Sequence, residues 1–201
     1  MIYTLKNNEI EVKVNSLGAE LVSVVSKSGF EYIWQGAQWP KHAPVLFPIC
    51  GSLRDEKYVF NAREYHIGKH GFAKFYDFEL KESSDTHVTL ELASNEETLA
   101  VYPFEFSLSA RFSIEGNALS VVFTLDNTGK IIMPYMFGWH PAFNLGGDAP
   151  STLSTSTLAT KRSSQDILCR TVRLSIPSTP HILLRTENTT STKRKSMRMT
   201  Q

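Results

Sequence analysis

The feature that most constrains the fold is an alternation of apolar and polar residues that continues across residues 104–125. Apolar side chains occupy every second position on both sides of the turn signal Glu115-Gly116-Asn117. Successive side chains of an extended chain point to opposite faces, so the pattern predicts an antiparallel β-hairpin with one buried face. The apolar positions are Phe104, Phe106, Leu108, Ala110, Phe112 and Ile114, then Leu119, Val121, Phe123 and Leu125.

Shorter alternating runs elsewhere in residues 1–150 extend this pattern, and turn signals such as Asn127-Thr128-Gly129 separate them. No stretch shows an apolar stripe with helical spacing over the length of a helix. Many strands at short spacing are typical of an antiparallel sandwich or barrel, so we predict an all-β, antiparallel β-sandwich. The shorter runs are Ile10, Val12 and Val14, and Val88, Leu90 and Leu92.

The composition changes abruptly near residue 150. Residues 1–150 contain 18 Asp and Glu against 12 Lys and Arg, whereas residues 151–201 contain 2 against 9. All 22 aromatic residues lie in the first part, and the second part contains 20 Ser or Thr. We therefore place a boundary at residue 150, between the N-terminal part of a β-sandwich and a basic, Ser/Thr-rich tail.

Two interpretations of residues 151–201 remain open. The first is a disordered basic tail, because the segment has too little apolar bulk to offset the entropy lost on ordering. The second is a shifted reading frame. Reading one base late turns Phe codons into Ser-type codons, Tyr and Asp codons into Thr-type codons, and Glu codons into Lys, Asn, Ser or Arg codons. The observed composition has this signature.

Charge and segment composition disfavour several classes of function. The net charge of +1 gives no overall attraction to nucleic acid or to an anionic membrane, so neither is expected as a partner. No apolar run approaches the roughly 18 to 20 residues of a transmembrane helix. The segment Met1–Asn7 lacks the layout of a signal peptide, and Cys50 and Cys169 are far apart. A cytoplasmic protein without a disulfide framework is the expectation.

Residues 34–75 combine aromatics, histidines and an arginine with little clean alternation, which is typical of a ligand cleft formed by loops. Trp34 and Phe47 belong to this region, but each is equally well interpreted as core. The six histidines are not accompanied by a cysteine or carboxylate pattern typical of a zinc site, so no metal is expected.

Two of these histidines are candidates for acid–base chemistry. His70 and His140 are flanked by Gly or Pro and by aromatic residues, which suggests positions at strand ends facing a pocket. A histidine exchanges a proton near neutral pH. Arg54 offers a fork of donors for hydroxyl or anionic oxygens.

Five motifs in order resemble the aldose 1-epimerase (galactose mutarotase) family, over about residues 2–147. The motifs are Glu31-Tyr32-Ile33-Trp34; Ala43-Pro44-Val45-Leu46-Phe47-Pro48 with Gly51-Ser52-Leu53-Arg54; His70-Gly71-Phe72-Ala73; Tyr102-Pro103-Phe104; and Gly138-Trp139-His140-Pro141-Ala142-Phe143.

The resemblance implies a galactose mutarotase-like supersandwich, incomplete in this chain, that interconverts the α and β anomers of a free hexose without a cofactor. A carboxylate base takes the proton of the anomeric hydroxyl and a histidine acid protonates the ring oxygen. By resemblance, His140 is the acid, whereas His70 and Arg54 bind and polarise sugar oxygens. Trp34 or Phe47 offers an apolar surface to the sugar.

The chain departs from the family where the general base is expected. By resemblance, that Glu and a further acidic residue lie in the family's C-terminal half, but residues 151–201 offer only Asp166 and Glu187, in no matching context. We therefore expect impaired catalysis. A non-catalytic carbohydrate-binding module, or a β-sandwich whose basic tail binds acidic partners, remains an alternative. The resemblance implies a hexose or a hexose phosphate as the substrate, and Lys69 and Lys74 are candidate ligands of the phosphate.

Overall fold

The structure is a computed structural model that describes residues 1–144, 153–155, 158–164, 167–175 and 183–191. These residues form antiparallel strands, one short α-helix, α1 (Glu96–Val101), and two single 3₁₀ turns. The strands are β1 (Ile2–Lys6), β2 (Ile10–Asn15), β3 (Glu20–Ser26), β4 (Val45–Leu46), β5 (Lys57–Phe60), β6 (Arg63–His66), β7 (Glu79–Ser83), β8 (His87–Ala93), β9 (Phe106–Glu115), β10 (Ala118–Asn127), β11 (Met133–Trp139), β12 (Ala142–Asn144), β13 (Leu153–Thr155), β14 (Leu158–Ser164), β15 (Ile167–Ser175) and β16 (Leu183–Ser191).

The predicted hairpin is present as β9 and β10. The two strands pair continuously from Glu115 with Ala118 to Phe106 with Asn127. A two-residue turn joins them, and Gly116 adopts a φ of 55° there. Alternate residues of β9 are buried, as the period-two pattern requires. Phe104, which begins the apolar pattern, is buried just before the strand.

This hairpin lies at the centre of a six-stranded sheet with the order β16-β15-β10-β9-β8-β7. The shorter alternating runs are β8 of this sheet and β2 of a three-stranded sheet, β1-β2-β3. All strand pairs between the named strands are antiparallel. The prediction of an all-β, antiparallel sandwich is confirmed.

Aromatic side chains of the hairpin pack against β11. The ring centroid of Phe123 lies 5.0 Å from that of Phe137 and 5.8 Å from that of Trp139. All three side chains are buried. Because β11 ends at Trp139, the hydrophobic core fixes the point at which His140 leaves the sheet.

Part of residues 151–201 belongs to the described strands. β15 pairs with β10, and its Val172 and Leu174 are buried. Residue 150 and Asp166 lie outside the described residues, as does the side chain of Glu187 in β16. The boundary at residue 150 and both interpretations of the tail stay predictions. No helix within the described ranges is long and apolar enough to span a membrane.

Candidate functional site

His140 is positioned by the segment that surrounds β4. Its backbone N–H donates to the carbonyl oxygen of Pro44 at 3.1 Å. The indole Nε1–H of the preceding Trp139 donates to the carbonyl oxygen of Ala43 at 2.9 Å and is buried. These bonds continue the short β4–β11 pairing, so the strand end that carries His140 is held on both of its last residues.

The loop that carries His70 is held by the same segment, through Phe47. The carbonyl oxygen of Phe47 accepts hydrogen bonds from the N–H groups of Phe72 at 2.9 Å and Ala73 at 3.2 Å. Gly71 has a φ of 68°. A Cβ atom at this position would overlap the Phe47 carbonyl group, so only glycine fits. The His70-Gly71-Phe72-Ala73 motif therefore brings the backbone of this loop into close contact with the carbonyl group of Phe47.

The imidazole of His70 is fixed by Gly51. The N–H of Gly51 donates to Nδ1 of His70 at 2.9 Å, and the N–H of His70 donates to the carbonyl oxygen of Gly51 at 2.7 Å. A backbone N–H only donates, so Nδ1 must carry a lone pair. His70 is therefore a neutral imidazole with its proton on Nε2, a tautomer assigned from this hydrogen bond.

The surroundings of His70 also favour its neutral form. Burial lowers the pKa of His70 below the usual value of 6.5, and the positive charges of Lys74, Lys69 and His140 lower it further. The last contribution indicates that His140 is near enough for its charge to act on His70. At neutral pH, His70 is thus a hydrogen-bond donor through Nε2 and carries no positive charge.

His140 has a different environment. Its side chain is half-buried, and its ring meets the ring of Trp39 edge to face, with centroids 5.4 Å apart. Its Nδ1 atom is buried and has no hydrogen-bond partner among the described residues. No backbone N–H of those residues therefore fixes its tautomer, in contrast to His70.

Arg54 lies at the edge of this site and points to solvent. Its side chain is 97% exposed, and its nearest carboxylate is Asp55, with Nε 3.9 Å from Oδ2. It follows Gly51 by three residues, so its Cα lies within about 11 Å of the residue that holds His70. Its guanidinium makes no contact with His70 or His140 among the described residues, so a role for Arg54 in binding stays a prediction.

The ring of Phe47 lies in the core. It is 0% exposed and packs against three other aromatic rings, with centroid distances of 4.8–6.0 Å. Of its two interpretations from the sequence, this placement favours the core, since a fully buried ring offers no surface to a sugar. Phe47 contributes to the site through its carbonyl oxygen. The three partner rings are those of Phe72, Tyr102 and Phe106.

Trp34 is half-buried and joins the two sides of the site through its backbone. Its N–H donates to the carbonyl oxygen of Ala142 at 3.0 Å, and its own carbonyl oxygen accepts from Nδ1 of His42 at 2.7 Å. Its indole ring covers Gly36, where a Cβ atom would overlap it. The partly exposed ring remains compatible with the predicted apolar surface.

Sequence reasoning did not select Gly51 or Trp39 as site residues. Gly51 acts through its backbone N–H, which no residue type reveals. Trp39 does have a signal, because it stands in Trp39-Pro40-Lys41-His42, directly before the segment that holds both histidines. Trp39 is thus an aromatic residue close to the basic pair Lys41-His42, in the region predicted to form the cleft, and this pattern marks it as a candidate site residue.

Neither histidine has a carboxylate partner within the part of the chain that the structure describes. Within residues 1–144, no Asp or Glu forms an ion pair with His70 or His140. Glu20 comes near the site, but its Oε1 accepts the N–H groups of His42 at 2.8 Å and Ala43 at 3.1 Å. The described residues also contain no group of three or more His, Cys, Asp or Glu that could hold a metal ion.

Comparison with known proteins agrees with this architecture. The model of the aldose 1-epimerase family matches residues 1–200, so the chain belongs to that family. The match continues past residue 147, where the resemblance seen in the sequence was expected to end. Protein LacX (plasmid) of Lactococcus lactis subsp. lactis is 37% identical over 153 residues, which cover 72% of this chain and 51% of that protein. The chain thus spans about half the length of the curated relatives it matches.

Two solved structures show a similar fold. A galactose mutarotase related enzyme from Lactobacillus acidophilus has a TM-score of 0.71 at 29% identity, covering 86% of this chain and 73% of that chain. A galactose mutarotase-like protein from Lactobacillus casei ATCC 334 has a TM-score of 0.70 at 26% identity, covering 92% and 82%. The family and the galactose mutarotase-like fold expected from the sequence are therefore confirmed.

Proposed function

We propose that this chain acts in the cytoplasm as a mutarotase, interconverting the α and β anomers of a hexose by acid–base ring opening. The observation that carries this proposal is the asymmetric pair of histidines. His70 is held as a neutral donor by Gly51, whereas Nδ1 of His140, whose charge acts on His70, has no such bond among the described residues. Ring opening needs both a donor that stabilises a sugar oxygen and an acid that protonates one.

In the proposed reaction the anomeric hydroxyl of the sugar is deprotonated and the ring oxygen is protonated. The anomeric hydroxyl loses its proton to a base, and its oxygen becomes the carbonyl oxygen of the open-chain aldehyde. The bond between C1 and the ring oxygen breaks, and the ring oxygen takes a proton from His140. Rotation about C1–C2 and the reverse steps give the other anomer. His70 donates through Nε2–H to a sugar oxygen, and Arg54 and the Trp34 ring complete binding.

The general base that accepts the proton of the anomeric hydroxyl is not among the residues identified at the site. The resemblance implies a Glu in the family's C-terminal half, and no carboxylate of residues 1–144 pairs with either histidine. We therefore propose that catalysis by this chain is impaired. Water or buffer bases can accept the anomeric proton, so the histidine acid still gives a measurable, slower exchange.

Anomer exchange of galactose and glucose, followed by polarimetry, tests the proposal. The unmodified chain is expected to raise the exchange rate above that of buffer. His140→Gln is expected to reduce this increment by about 10²-fold or more, the usual contribution of a general acid. The matched control is His87→Gln, on β8 and ion-paired with Glu82, which should keep the original rate. Equal rates for His140→Gln and the unmodified chain would refute the assignment.

A non-catalytic carbohydrate-binding module is the second candidate. The lack of a carboxylate beside the histidines among residues 1–144 favours it, because hydrogen-bond donors suffice for binding without the base. Saturable binding of galactose or glucose, seen as shifts of the His70 and His140 ring signals, with no exchange above buffer would establish this alternative. Exchange above buffer that depends on His140 would exclude it.

We further propose that residues 151–201 derive from a shifted reading frame, in which case the base Glu stands in the alternative frame. The loss of all aromatics and the change from net −6 to net +7 at residue 150 support this, whereas the family match up to residue 200 and the pairing of β15 with β10 favour a segment that is in frame. A genuine basic tail is the alternative. Reading the coding DNA across codons 140–201 in three frames decides between them: a frame rich in Phe, Tyr, Asp and Glu is expected, and its absence would contradict the proposal.

A further inference from the structure

The backbone register of β4 and β11 continues beyond the last residues of both strands. The N–H of His140 donates to the carbonyl oxygen of Pro44 at 3.1 Å, and the N–H of Ala142 donates to that of His42 at 2.8 Å. Pro44 therefore lies opposite His140, and His42 lies opposite Ala142, in the register of the β4–β11 pairs. Residues directly opposite each other and residues two apart share a face of a ladder, so His42 and His140 are diagonal neighbours on one face.

This face is the accessible side of the ladder. Phe137 and Trp139, which alternate with His140 and belong to the opposite face, are 0% exposed, whereas His42 and His140 are half-buried. The ring of Trp39, three residues before His42, lies against the ring of His140 with centroids 5.4 Å apart. Diagonal neighbours have Cα atoms about 7–8 Å apart, so both imidazoles can reach the anomeric hydroxyl and the ring oxygen of one bound sugar.

A hydrogen bond to Trp34 fixes the tautomer of His42. Nδ1 of His42 lies 2.7 Å from the carbonyl oxygen of Trp34. A carbonyl oxygen only accepts, so Nδ1 must carry a proton, and the neutral ring has its lone pair on Nε2. Nε2 has no hydrogen-bond partner among the described residues and is accessible to solvent. His42 thus presents an acceptor through Nε2, whereas His70 presents a donor through the same atom.

Two carboxylates that hold the surrounding backbone are already engaged. Oε1 of Glu20 accepts the N–H groups of His42 and Ala43 at 2.8 and 3.1 Å. Oε1 of Glu31 accepts two further backbone N–H groups at 2.9 and 2.8 Å. Because these oxygens are occupied, the accessible lone pair of His42 is the better placed proton acceptor.

We propose that His42 is the general base of this chain and accepts the proton of the anomeric hydroxyl on Nε2. This inference rests on the proposed function. The O–H bond of the hydroxyl breaks, its proton goes to Nε2, and its electron pair forms the C1=O double bond. The bond from C1 to the ring oxygen breaks, and the ring oxygen keeps the electron pair and takes a proton from His140. Ring closure on the other face of C1 reverses both transfers and restores both histidines.

The test uses His42→Asn and follows anomer exchange of galactose by polarimetry in dilute buffer, with each rate taken above that of the same solution without protein. The amide N–H of the new side chain can donate to the Trp34 carbonyl oxygen in place of Nδ1–H, but no base stands at the position of Nε2. The rate increment is expected to fall about 10²-fold or more. His87→Gln, on β8 and paired with Glu82, is the control and should keep the original increment.

The pH profile separates a base from a residue that only supports Trp34. For the unmodified chain, the increment should fall tenfold per pH unit at the acid end, as His42 takes a proton. His42→Asn should lack this acid limb. Added imidazole should restore part of the exchange by His42→Asn in proportion to its concentration, measured against protein-free imidazole. A lower rate with the acid limb intact and no rescue would overturn the inference.

¹⁵N NMR of the unmodified chain keeps the test decisive if His42→Asn does not fold. With signals assigned through the backbone, a neutral His42 ring should carry its proton on Nδ1, and galactose should shift its Nε2 signal. A proton on Nε2 instead, or no shift of His42 when galactose shifts the His140 ring signals, would overturn the inference.

The same rates distinguish failure of this base from failure of the proposed function. Exchange that depends on His140 and is unchanged in His42→Asn would leave the function standing and refute the role of His42. No exchange above that of buffer for the unmodified chain would refute the function, and the role of His42 with it.

Discussion

The β9–β10 hairpin and the loop that carries His70 are held in place in different ways. The two strands of the hairpin form ten residue pairs, and their inward side chains, among them Phe123, fill the core. The loop has no comparable ladder. His70 and Gly71 adopt φ angles of 66° and 68°. His70 is held by two hydrogen bonds to Gly51, and the N–H groups of Phe72 and Ala73 donate to the carbonyl oxygen of Phe47.

This difference separates what makes the fold from what makes the site. Many interchangeable apolar contacts stabilise the hairpin, so the loss of one weakens it without changing its geometry. The position and tautomer of His70 depend on a few backbone atoms, so one misplaced carbonyl changes the chemistry. Strained backbone conformations are typical of functional sites for this reason.

The largest loss of stability is expected from Phe123→Ala, which removes a core side chain of the β9–β10 hairpin. The ring is 1% exposed and contacts Phe137 and Trp139. Its removal should lower the free energy of unfolding by about 3–5 kcal/mol, measured by urea denaturation. The control is Ser120→Ala on the other face of β10, which should cost less than about 1 kcal/mol. Similar losses for both variants would contradict the account of the core.

Gly71→Ala tests whether the close approach to Phe47 holds the loop that carries His70. The new Cβ would overlap the Phe47 carbonyl group at a positive φ, so the expected loss of stability is about 2–5 kcal/mol. Gly29 is a matched control, because it also has a positive φ but nothing lies within 4 Å of an added Cβ. Gly29→Ala should cost only about 1–2 kcal/mol. If Gly71→Ala costs no more than Gly29→Ala, the close approach to Phe47 is not what holds the loop.

Lys74 is half-buried, and its Nζ donates to the carbonyl oxygens of Lys69 and Gly71, so it makes the stability of the loop depend on pH. Its pKa is about 8 in the folded protein and 10.5 in the unfolded chain, so between these values the unfolded state binds more protons. The destabilising effect of Lys74 is therefore complete below pH 8 and disappears as the pH rises toward 10.5. Lys74→Met should stabilise the protein at pH 7 in phosphate-free buffer, and this gain should shrink by pH 10. A gain that does not vary with pH would contradict the burial of the ammonium group.

The smallest effect is expected at Trp39, which contacts His140 from outside the core. The edge-to-face pair is worth about 0.5–1.5 kcal/mol, so Trp39→Ala should lower stability by that amount. It should also slow anomer exchange, because the His140 ring loses a neighbour that orients it. Trp39→Phe keeps an aromatic edge and should restore most of the rate. Equal rates for the Ala and Phe variants would show that Trp39 does not orient His140.

The sequence predicted the hairpin well, because period-two alternation is a property of residue types and the buried face of β9 and β10 follows from it. The His70 and His140 motifs were also recognisable. Three features were not: the N–H of Gly51, the carbonyl oxygen of Phe47 and the half-buried ammonium group of Lys74. Backbone atoms are the same at every residue, so no sequence pattern marks the one that fixes a histidine.

The interpretation of Phe47 shows the same limit. An aromatic residue in a segment with family motifs is consistent with both a sugar-facing ring and a core ring. Only the burial against Phe72, Tyr102 and Phe106 distinguishes them, and these partners are 25 to 59 residues away in the chain. Contacts at such separations follow from the folded topology and are not visible in local alternation.

The central claim is that the backbone of Gly51 fixes His70 as a neutral donor through Nε2. The most direct test is ¹⁵N NMR of the histidine rings at pH 6.5, with the His70 signals assigned by comparison with His70→Gln. The account predicts that more than half of the His70 rings are neutral at this pH, with a lone pair on Nδ1 and the proton on Nε2, because burial lowers the pKa of His70 below 6.5 and the N–H of Gly51 donates to Nδ1. A ring protonated on both nitrogens at this pH, or a neutral ring with its proton on Nδ1, would contradict it.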